Sequence, residues 1–482
     1  EFRRVLFRSL ELENNKPLYK LFEKLHGDKT QLLPGNAPLR PAPAFHNQRL
    51  NNSQQEAVKS ILENEELLIV HGPPGTGKTT TLTEAIWQLV KEGKKILVTA
   101  PSNTAVDNIA RGLIEQGINV LRVGNTSKVD EALFAHTPEG KLNNSKALKE
   151  VKELKKRAEE FRRMALKYKR SFGKAEREQR KLLFNEVRQI RDEIRRLQAY
   201  NEEKLFTEAP VIAGTPIGLY DEGLHKHHFD TLVVDEAGQC LEPLAWCVFP
   251  LADKIVLAGD HLQLPPTVLS EEASGLGFNT SILEMAVRAV SQIHLLNVQY
   301  RMRKAIGGFS SHYFYEGRLQ HAPHLENTGV HITFVDTAGS GNYELHGPDG
   351  VSLQNKGELV IAAHLLAQEQ LPLAQTAFIS PYSGQVTAAR EALPAGLRIS
   401  TIDSFQGQEK ENIILSLVRS NEESEIGFLK DYRRMNVAIT RAKEQLFVIG
   451  DSATIGADRF YHAFLSYVEK HGNYRTIWEF EY

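Results

Sequence analysis

The amino-acid sequence predicts an α/β fold in which two domains of similar size are built on parallel β-sheets. Two patterns predict this fold. Short apolar segments typical of buried strands alternate with segments whose apolar residues recur at helical spacing, as in strand–helix–strand units. This alternation occurs in two series that meet near residue 292. The length of 482 residues suits about three folding units at roughly 150 residues each.

Composition limits the class of protein. Hydrophobic residues make up 41% and charged residues 24% of the chain, which argues against a collagen-like or disordered protein. Two cysteines, Cys240 and Cys247, cannot build a disulfide framework or a four-cysteine zinc site. We therefore expect a reducing, cytoplasmic location, or the nucleus in a eukaryote. The best membrane-span candidate, 245–257, is interrupted by Asp253 and Lys254, so no span is expected.

The first domain is predicted over residues 48–291, after an N-terminal segment of residues 1–47. Residues 1–10 lack the apolar core of a signal peptide and are interpreted as a remnant or a scar. A short helix from about Lys16 to Leu25 and a Pro-rich linker from Pro34 to Pro43 follow. Apolar segments then predict strands at 67–70, 96–99, 120–123, 210–213, 231–234 and 254–258, and helices after Lys78, at 106–114 and near 281–290.

Residues 128–206 interrupt this pattern with an insertion. Apolar residues at steps of three and four, from Leu148 to Phe172 and from Leu183 to Leu197, predict two helices. Ser171-Phe172-Gly173 offers a turn, so an antiparallel helical hairpin is expected. Residues 146–204 contain 20 Lys and Arg against 11 Asp and Glu, although the whole chain has a net charge of −2. The hairpin is therefore either a solvated structural stalk or an arm that faces nucleic acid.

The second domain is predicted over residues 292–482. No internal repeat of 20 to 50 residues is visible. Apolar segments predict its strands at 331–335, 376–380, 399–401, 412–417 and 445–449.

A glycine-rich segment predicts a phosphate site in the first domain. The residues are Gly72, Pro73, Pro74, Gly75, Thr76, Gly77, Lys78 and Thr79, which fit G-x-x-x-x-G-K-[ST] between a strand and a helix. Backbone N–H groups and the helix N-terminus can bind phosphate oxygens, Lys78 can neutralise their charge, and Thr79 can bind Mg²⁺. The motif indicates a nucleoside triphosphate, but not which reaction follows.

Acidic and basic residues elsewhere complete the predicted site. Asp235 ends an apolar strand and can bind Mg²⁺, while Glu236 can act as general base for an attacking water; helix capping is the structural alternative. Gln263 follows the next strand, where an amide could sense the terminal phosphate. Arginines near 301 and 441 could approach from the second domain, although an isolated arginine is usually a surface residue.

These residues together resemble superfamily 1 helicases, in the branch of the up-frameshift helicase, senataxin and the immunoglobulin mu-binding helicase. The resemblance spans about residues 48–452 and implies two tandem RecA-like P-loop domains with parallel sheets, the first carrying the inserted hairpin. Its motifs occur in family order: LNNSQ at 50–54, GPPGTGKT at 72–79, APSNTAVDN at 100–108, GTPIG at 214–218, DEAGQ at 235–239, GDHLQLPP at 259–266, QYRM at 299–302, FYEGRL at 314–319, SPYSGQ at 380–385, TIDSFQGQE at 401–409 and NVAITRAK at 436–443.

The resemblance implies roles for individual residues. ATP and Mg²⁺ are the expected cofactors, and hydrolysis is expected to use Lys78, Asp235, Glu236, Gln263, Arg301 and Arg441. Gln54 is expected to read the adenine edge, Tyr300 to stack on the base and Glu409 to contact the sugar. The remaining expected nucleotide contacts are the motif 72–79 and Thr80.

The resemblance also implies an ATP-dependent helicase or translocase that moves along single-stranded RNA or DNA, 5′ to 3′ and without sequence preference. Short polar side chains and backbone amides suit phosphate and sugar contacts, although each such residue could equally cap a helix or a turn. The expected strand contacts are Pro101, Ser102, Asn103, Thr215, Pro216, Thr401 and Ser404.

Two alternatives remain open. The family usually has a small β-barrel before or within the first motor domain, and about 47 residues precede LNNSQ, so the barrel is expected to be missing or truncated. The chain could then be a nucleic-acid-stimulated ATPase without processive unwinding. A P-loop ATPase that remodels proteins is the second alternative, although it would need partners to supply the arginines that this chain contains. A monomer is expected.

Overall fold

The computed structural model describes residues 21, 23, 25–26, 43–63, 66–143, 146–167, 173–268, 270–290, 293–326, 329–348 and 350–480. Most of the predicted N-terminal helix and Pro-rich linker, and Ser171 and Phe172 of the predicted turn, lie outside this range. Leu21 and Leu25 are described, and both are buried against the core of the first domain.

The first domain is organised around a parallel seven-stranded sheet. Its strands are β1 (Leu67–His71), β2 (Ile96–Thr99), β3 (Val120–Arg122), β4 (Val211–Gly214), β5 (Phe229–Val234), β6 (Ala252–Gly259) and β7 (Ile293–Leu295). They lie in the order β3-β4-β2-β5-β6-β1-β7. Alternate residues of a strand point to opposite faces, and Ile69 and Val70 accordingly enter separate hydrophobic cores.

Helices cover both faces of this sheet. Several begin at residues whose side chains accept backbone N–H groups: Asn51, Ser102, Thr215 and Ser281, as N-cap chemistry requires. The α-helices are Asn52–Leu62, Lys78–Lys91, Asn103–Glu115, Pro138–Asn143, Lys146–Leu166, Lys174–Glu208, Pro216–Asp221, Glu242–Trp246, Glu271–Ala273 and Ile282–Ala289.

The helices Lys146–Leu166 and Lys174–Glu208 pack against each other where the sequence predicts the insertion. Val151 and Ala158 of the first helix contact Ile190 and Ile194 of the second in a small core of their own. Because that apolar seam is narrow, most other side chains of the pair face solvent. We call these two helices the basic helix pair.

The second domain contains a parallel six-stranded sheet and two short strand pairs. Its strands are β8 (Val298–Gln299), β9 (Gln320–His321), β10 (Ile332–Asp336), β11 (Leu345–His346), β12 (Leu353–Gln354), β13 (Thr376–Ser380), β14 (Arg398–Thr401), β15 (Lys410–Ser416), β16 (Ala442–Gly450) and β17 (Asn473–Thr476). The six-stranded sheet has the order β14-β13-β15-β16-β10-β17. Its α-helices are Lys304–Phe314, Lys356–Gln368, Ser383–Ala392, Tyr432–Ile439, Ser452–Ile455 and Arg459–His471.

The mixed α/β fold with parallel sheets is confirmed, and one detail differs from the predicted domain limits. The strand β7 lies beyond residue 291 but pairs with β1 in the first sheet. The strand has only three partly buried residues at the edge of the sheet, and His294 interrupts the apolar run that would mark a central strand. Among the described residues, none of the helices combines the length and the apolar character needed to cross a lipid bilayer.

Candidate functional site

The glycine-rich segment forms a loop between β1 and the helix Lys78–Lys91. Gly75 and Gly77 both have φ +74°, a left-handed conformation that costs glycine little. The Thr76 hydroxyl donates to the carbonyl of Pro73 at 2.7 Å and closes the turn. A Cβ on Gly75 would lie 2.6 Å from Cβ of Arg301, so the loop also packs directly against the second domain.

Lys78 lies between two carboxylates of the first domain. Its Nζ is 3.0 Å from Oδ1 of Asp235, at the end of β5, and 2.7 Å from Oε1 of Glu236. Burial alone would lower the pKa of Lys78, but the two carboxylates outweigh burial and raise this pKa above its usual value. Glu236 has φ +51°, a left-handed backbone conformation that is strained for a residue other than glycine.

The second domain contributes two arginines to the same place. Arg301 forms an ion pair with Glu409 and donates to the carbonyl of Thr440 at 3.3 Å. Arg441 is almost fully buried, and its Nη2 donates to Oε1 of Gln263 at 3.1 Å. Burial, together with repulsion from Arg301, lowers the pKa of Arg441 to about 9.

Side chains from both domains therefore line one cleft of about 510 Å³. Three cations and the backbone N–H groups of a helix N-terminus suit the phosphates of a nucleotide. The Thr79 hydroxyl and the Asp235 carboxylate are oxygen ligands of the kind that a hard divalent cation prefers. The predicted nucleotide-binding and catalytic residues found on the cleft are Gly72, Pro73, Pro74, Gly75, Thr76, Gly77, Lys78, Thr79, Asp235, Glu236, Gln263, Arg301 and Arg441.

Gln54, Tyr300, Glu409 and Thr80 are not among the residues that line the cleft. The Gln54 amide accepts from the N–H of Asn51 at 2.9 Å and donates to the carbonyl of Thr76 at 2.9 Å. The second bond stabilises the glycine-rich loop. The Tyr300 ring is 42% exposed, with its hydroxyl accepting from Asn51, and could still offer a face to a base. Their proposed nucleotide contacts remain predictions.

The residues expected to contact a strand make local hydrogen bonds. The hydroxyls of Ser102 and Thr215 cap helices, and the hydroxyls of Thr401 and Ser404 lie 2.9 Å apart. The Asn103 side chain accepts from the buried Arg122 at 2.9 Å. Ser102 and Ser404 also line the cleft, whereas Pro101, Asn103, Thr215, Pro216 and Thr401 do not.

Several residues of this region carry no role in the sequence prediction. Asp260 is buried and accepts hydrogen bonds from both domains, although only its motif partner Gln263 was singled out. Tyr315 and Asn436 lie within the quoted motifs FYEGRL and NVAITRAK, so the motifs contain the signal without identifying the contact. Further polar residues on the cleft are Thr104, Asn108, Gln239, Asp403, Gln406 and Gln408.

Comparison with known proteins places the chain among helicase relatives. Two family models described as AAA domain match residues 49–271 and 278–453. The chain is 37% identical to DNA-binding protein SMUBP-2 of Mesocricetus auratus, over 93% of this chain and 48% of that protein. It is 33% identical to DNA polymerase alpha-associated DNA helicase A of Schizosaccharomyces pombe, over 97% of this chain and 74% of that protein.

The ATP-dependent helicase upf1 of the same yeast is 32% identical, over 88% of this chain and 47% of that protein. The chain thus spans about half the length of the SMUBP-2 relatives that it matches. Long alignments at this identity, together with two matched domains in tandem, establish the family. The chain belongs to the Upf1-like family of superfamily 1 helicases.

Proposed function

We propose that this chain is an ATP-dependent motor that moves along single-stranded RNA or DNA and separates paired strands, with the 5′-to-3′ polarity that its family implies. The observation that carries the proposal is the cleft, in which the first domain supplies Lys78, Asp235 and Glu236 and the second supplies Arg301 and Arg441. Because two of the three cations of this P-loop site come from the second domain, hydrolysis should be sensitive to how the domains are arranged.

The residues of the cleft suggest separate roles in ATP hydrolysis. Lys78 can exchange its carboxylate partners for phosphate oxygens, and Glu236 can accept the proton of the attacking water. Arg301 and Arg441 can stabilise the charge on the transferred phosphoryl group. Thr79 and Asp235 would hold Mg²⁺, which neutralises phosphate charge when bound.

Movement along a strand would follow from closure and reopening of the cleft. Pro101, Ser102 and Asn103 lie in the first domain and Thr401 and Ser404 in the second, so a strand that contacted both would be shifted by each cycle. Backbone and hydroxyl contacts read no base edges, which supports binding without sequence preference. We propose that the monomer performs this cycle, because the chain supplies both halves of its cleft.

The basic helix pair is proposed to add phosphate contacts beyond this path. Lys155, Arg191 and Arg195 border one groove between the two helices. Replacing all three with glutamine should reduce the slope of log affinity against log salt by up to about 2, at roughly 0.7 per phosphate contact to a single strand. An unchanged slope in fluorescence anisotropy titrations would leave the pair with a structural role only.

A reducing, intracellular compartment is part of the proposal. Cys240 and Cys247 are both buried and form no disulfide, and burial with the proximity of Cys247 raises the pKa of Cys240 to about 12. Such thiols are inert core residues, which supports a protein that needs no disulfide.

The test is ATP turnover measured without polymer, with single-stranded RNA and with single-stranded DNA at one stated salt concentration. We expect strong stimulation by one or both polymers, followed by strand separation of a duplex with a 5′ overhang. Stimulation without separation would mean a nucleic-acid-dependent ATPase that does not unwind. Equal turnover under all three conditions would overturn the proposal and favour a P-loop ATPase that acts on proteins.

A further inference from the structure

Asp260 is the centre of a buried hydrogen-bond network beside the cleft. Its Oδ1 accepts from His71 Nε2 at 2.8 Å and from the N–H of Leu262 at 3.0 Å. Its Oδ2 accepts from Gln263 Nε2 at 2.8 Å and from the Tyr315 hydroxyl at 2.6 Å. Each oxygen already accepts two hydrogen bonds, which uses the four acceptor sites of the carboxylate.

This network determines which way the Gln263 amide points. An ionised carboxylate only accepts hydrogen bonds, so Asp260 faces the NH₂ end of the amide. The guanidinium of Arg441 only donates, and its Nη2 faces the amide oxygen at 3.1 Å. The two charged groups therefore select one of the two possible amide orientations.

Two residues of the second domain complete the network. Tyr315 directly follows the helix Lys304–Phe314, and Asn436 lies in the helix Tyr432–Ile439. Because the Tyr315 hydroxyl donates its one proton to Asp260, its oxygen can only accept the hydrogen bond from Asn436 Nδ2, which is 3.0 Å away. Asn436 Nδ2 is also 2.9 Å from the carbonyl of Leu262 in the first domain. Both side chains are essentially inaccessible to solvent.

We infer that Tyr315 and Asn436 are positioning residues. Only while the two domains are in contact do they hold Asp260, and through it the Gln263 amide, in the orientation that hydrolysis needs. The inference rests on the proposed function, in which Gln263 senses the terminal phosphate. When the cleft opens, Asp260 keeps its first-domain donors but loses the Tyr315 hydroxyl and gains water. Gln263 loses Arg441 in the same movement, so the amide keeps only its hydrogen bond to Asp260 and is held less firmly.

Tyr315→Phe tests this inference because it removes the hydroxyl and keeps the ring. We expect kcat to fall about tenfold, as for loss of one hydrogen bond to a charged group, with KM for ATP changed by less than about threefold. Tyr313→Phe is the matched control: Tyr313 lies on the preceding helix, is 40% exposed and packs on aromatic rings. The control should retain wild-type kcat, and thermal melting should show both variants folded.

A double-mutant cycle with Gln263→Ala separates positioning from general damage. If Tyr315 acts through Gln263, Tyr315→Phe should lower kcat by less than about twofold in the Gln263→Ala background. A full tenfold loss in that background, or wild-type kcat for the single variant, would overturn the inference. Wild-type turnover that no polymer stimulates would refute the proposed function instead, while basal kcat would still decide the role of Tyr315.

Discussion

Replacement of Glu236 by glutamine is the most direct test of the proposed chemistry. The substitution keeps the size of the side chain, and Lys78 keeps its contact with Asp235 at 3.0 Å, so the site should retain its shape. Loss of a general base lowers turnover by roughly 10²- to 10⁴-fold, equivalent to about 3 to 5 kcal/mol in the activation barrier. Because the substitution removes one negative charge close to where the phosphates would bind, ATP affinity should stay unchanged or increase.

The assay combines steady-state ATP turnover, with single-stranded polymer present, and equilibrium titration of a fluorescent ATP analogue. Glu326→Gln is the control, because Glu326 is an exposed carboxylate of the second domain that pairs with Lys304 at 3.2 Å. The control should match the wild type in both measurements. Turnover of Glu236→Gln within about twofold of the wild type would refute the role of Glu236 as general base, and a parallel loss of ATP affinity would make it a binding residue.

Three further predictions concern the second domain and stability. Arg441→Ala should lower kcat more than ATP affinity, and equal losses in turnover and titration would make Arg441 a simple binding residue. Arg122→Met should lower the free energy of unfolding by about 3 to 5 kcal/mol. The substitution leaves the buried Asp107 carboxylate without the cation that now contacts it at 2.7 Å. Arg111→Met breaks an exposed pair and should cost about 1 kcal/mol or less in the same urea titration, so equal losses would contradict this account. Burial raises the pKa of Glu358 from 4.5 to about 8, so its stabilising contribution is complete below pH 4.5 and is lost as pH rises towards 8. Glu358→Gln cannot ionise and should make the decline in Tm over that range shallower, whereas parallel Tm profiles would contradict the assignment.

The strands in the middle of each sheet could be predicted because a strand buried on both faces consists of consecutive apolar residues. The segments 96–99 and 376–380 were predicted with the bounds that the structure has, since strands buried on both faces are continuous apolar runs. The edge strand β17, Asn473–Thr476, was not predicted. Its four residues are exposed or only partly buried, and an edge strand that needs little apolar surface leaves no such pattern.

The phosphate loop and the acidic residues of the site could also be predicted from the sequence. The loop at 72–79 and the pair Asp235 and Glu236 owe their conformation to local glycines and to one strand end, so their spacing along the chain carries the prediction. Sequence position alone could not show that Gln54 contacts Thr76 or that Ser102 and Ser404 face the same cleft, because those contacts join segments from separate elements.

The sequence by itself determined the α/β class, the family motifs and the residue types that a phosphate site requires, because those properties depend on near neighbours in the chain. Only the tertiary structure decided the strand order, the place of β7 in the first sheet and the hydrogen bond from Tyr315 to Asp260. These features join residues far apart in sequence, and their partners are selected by packing between the two domains. A buried carboxylate takes whichever donors the fold brings within reach, and no local pattern specifies them.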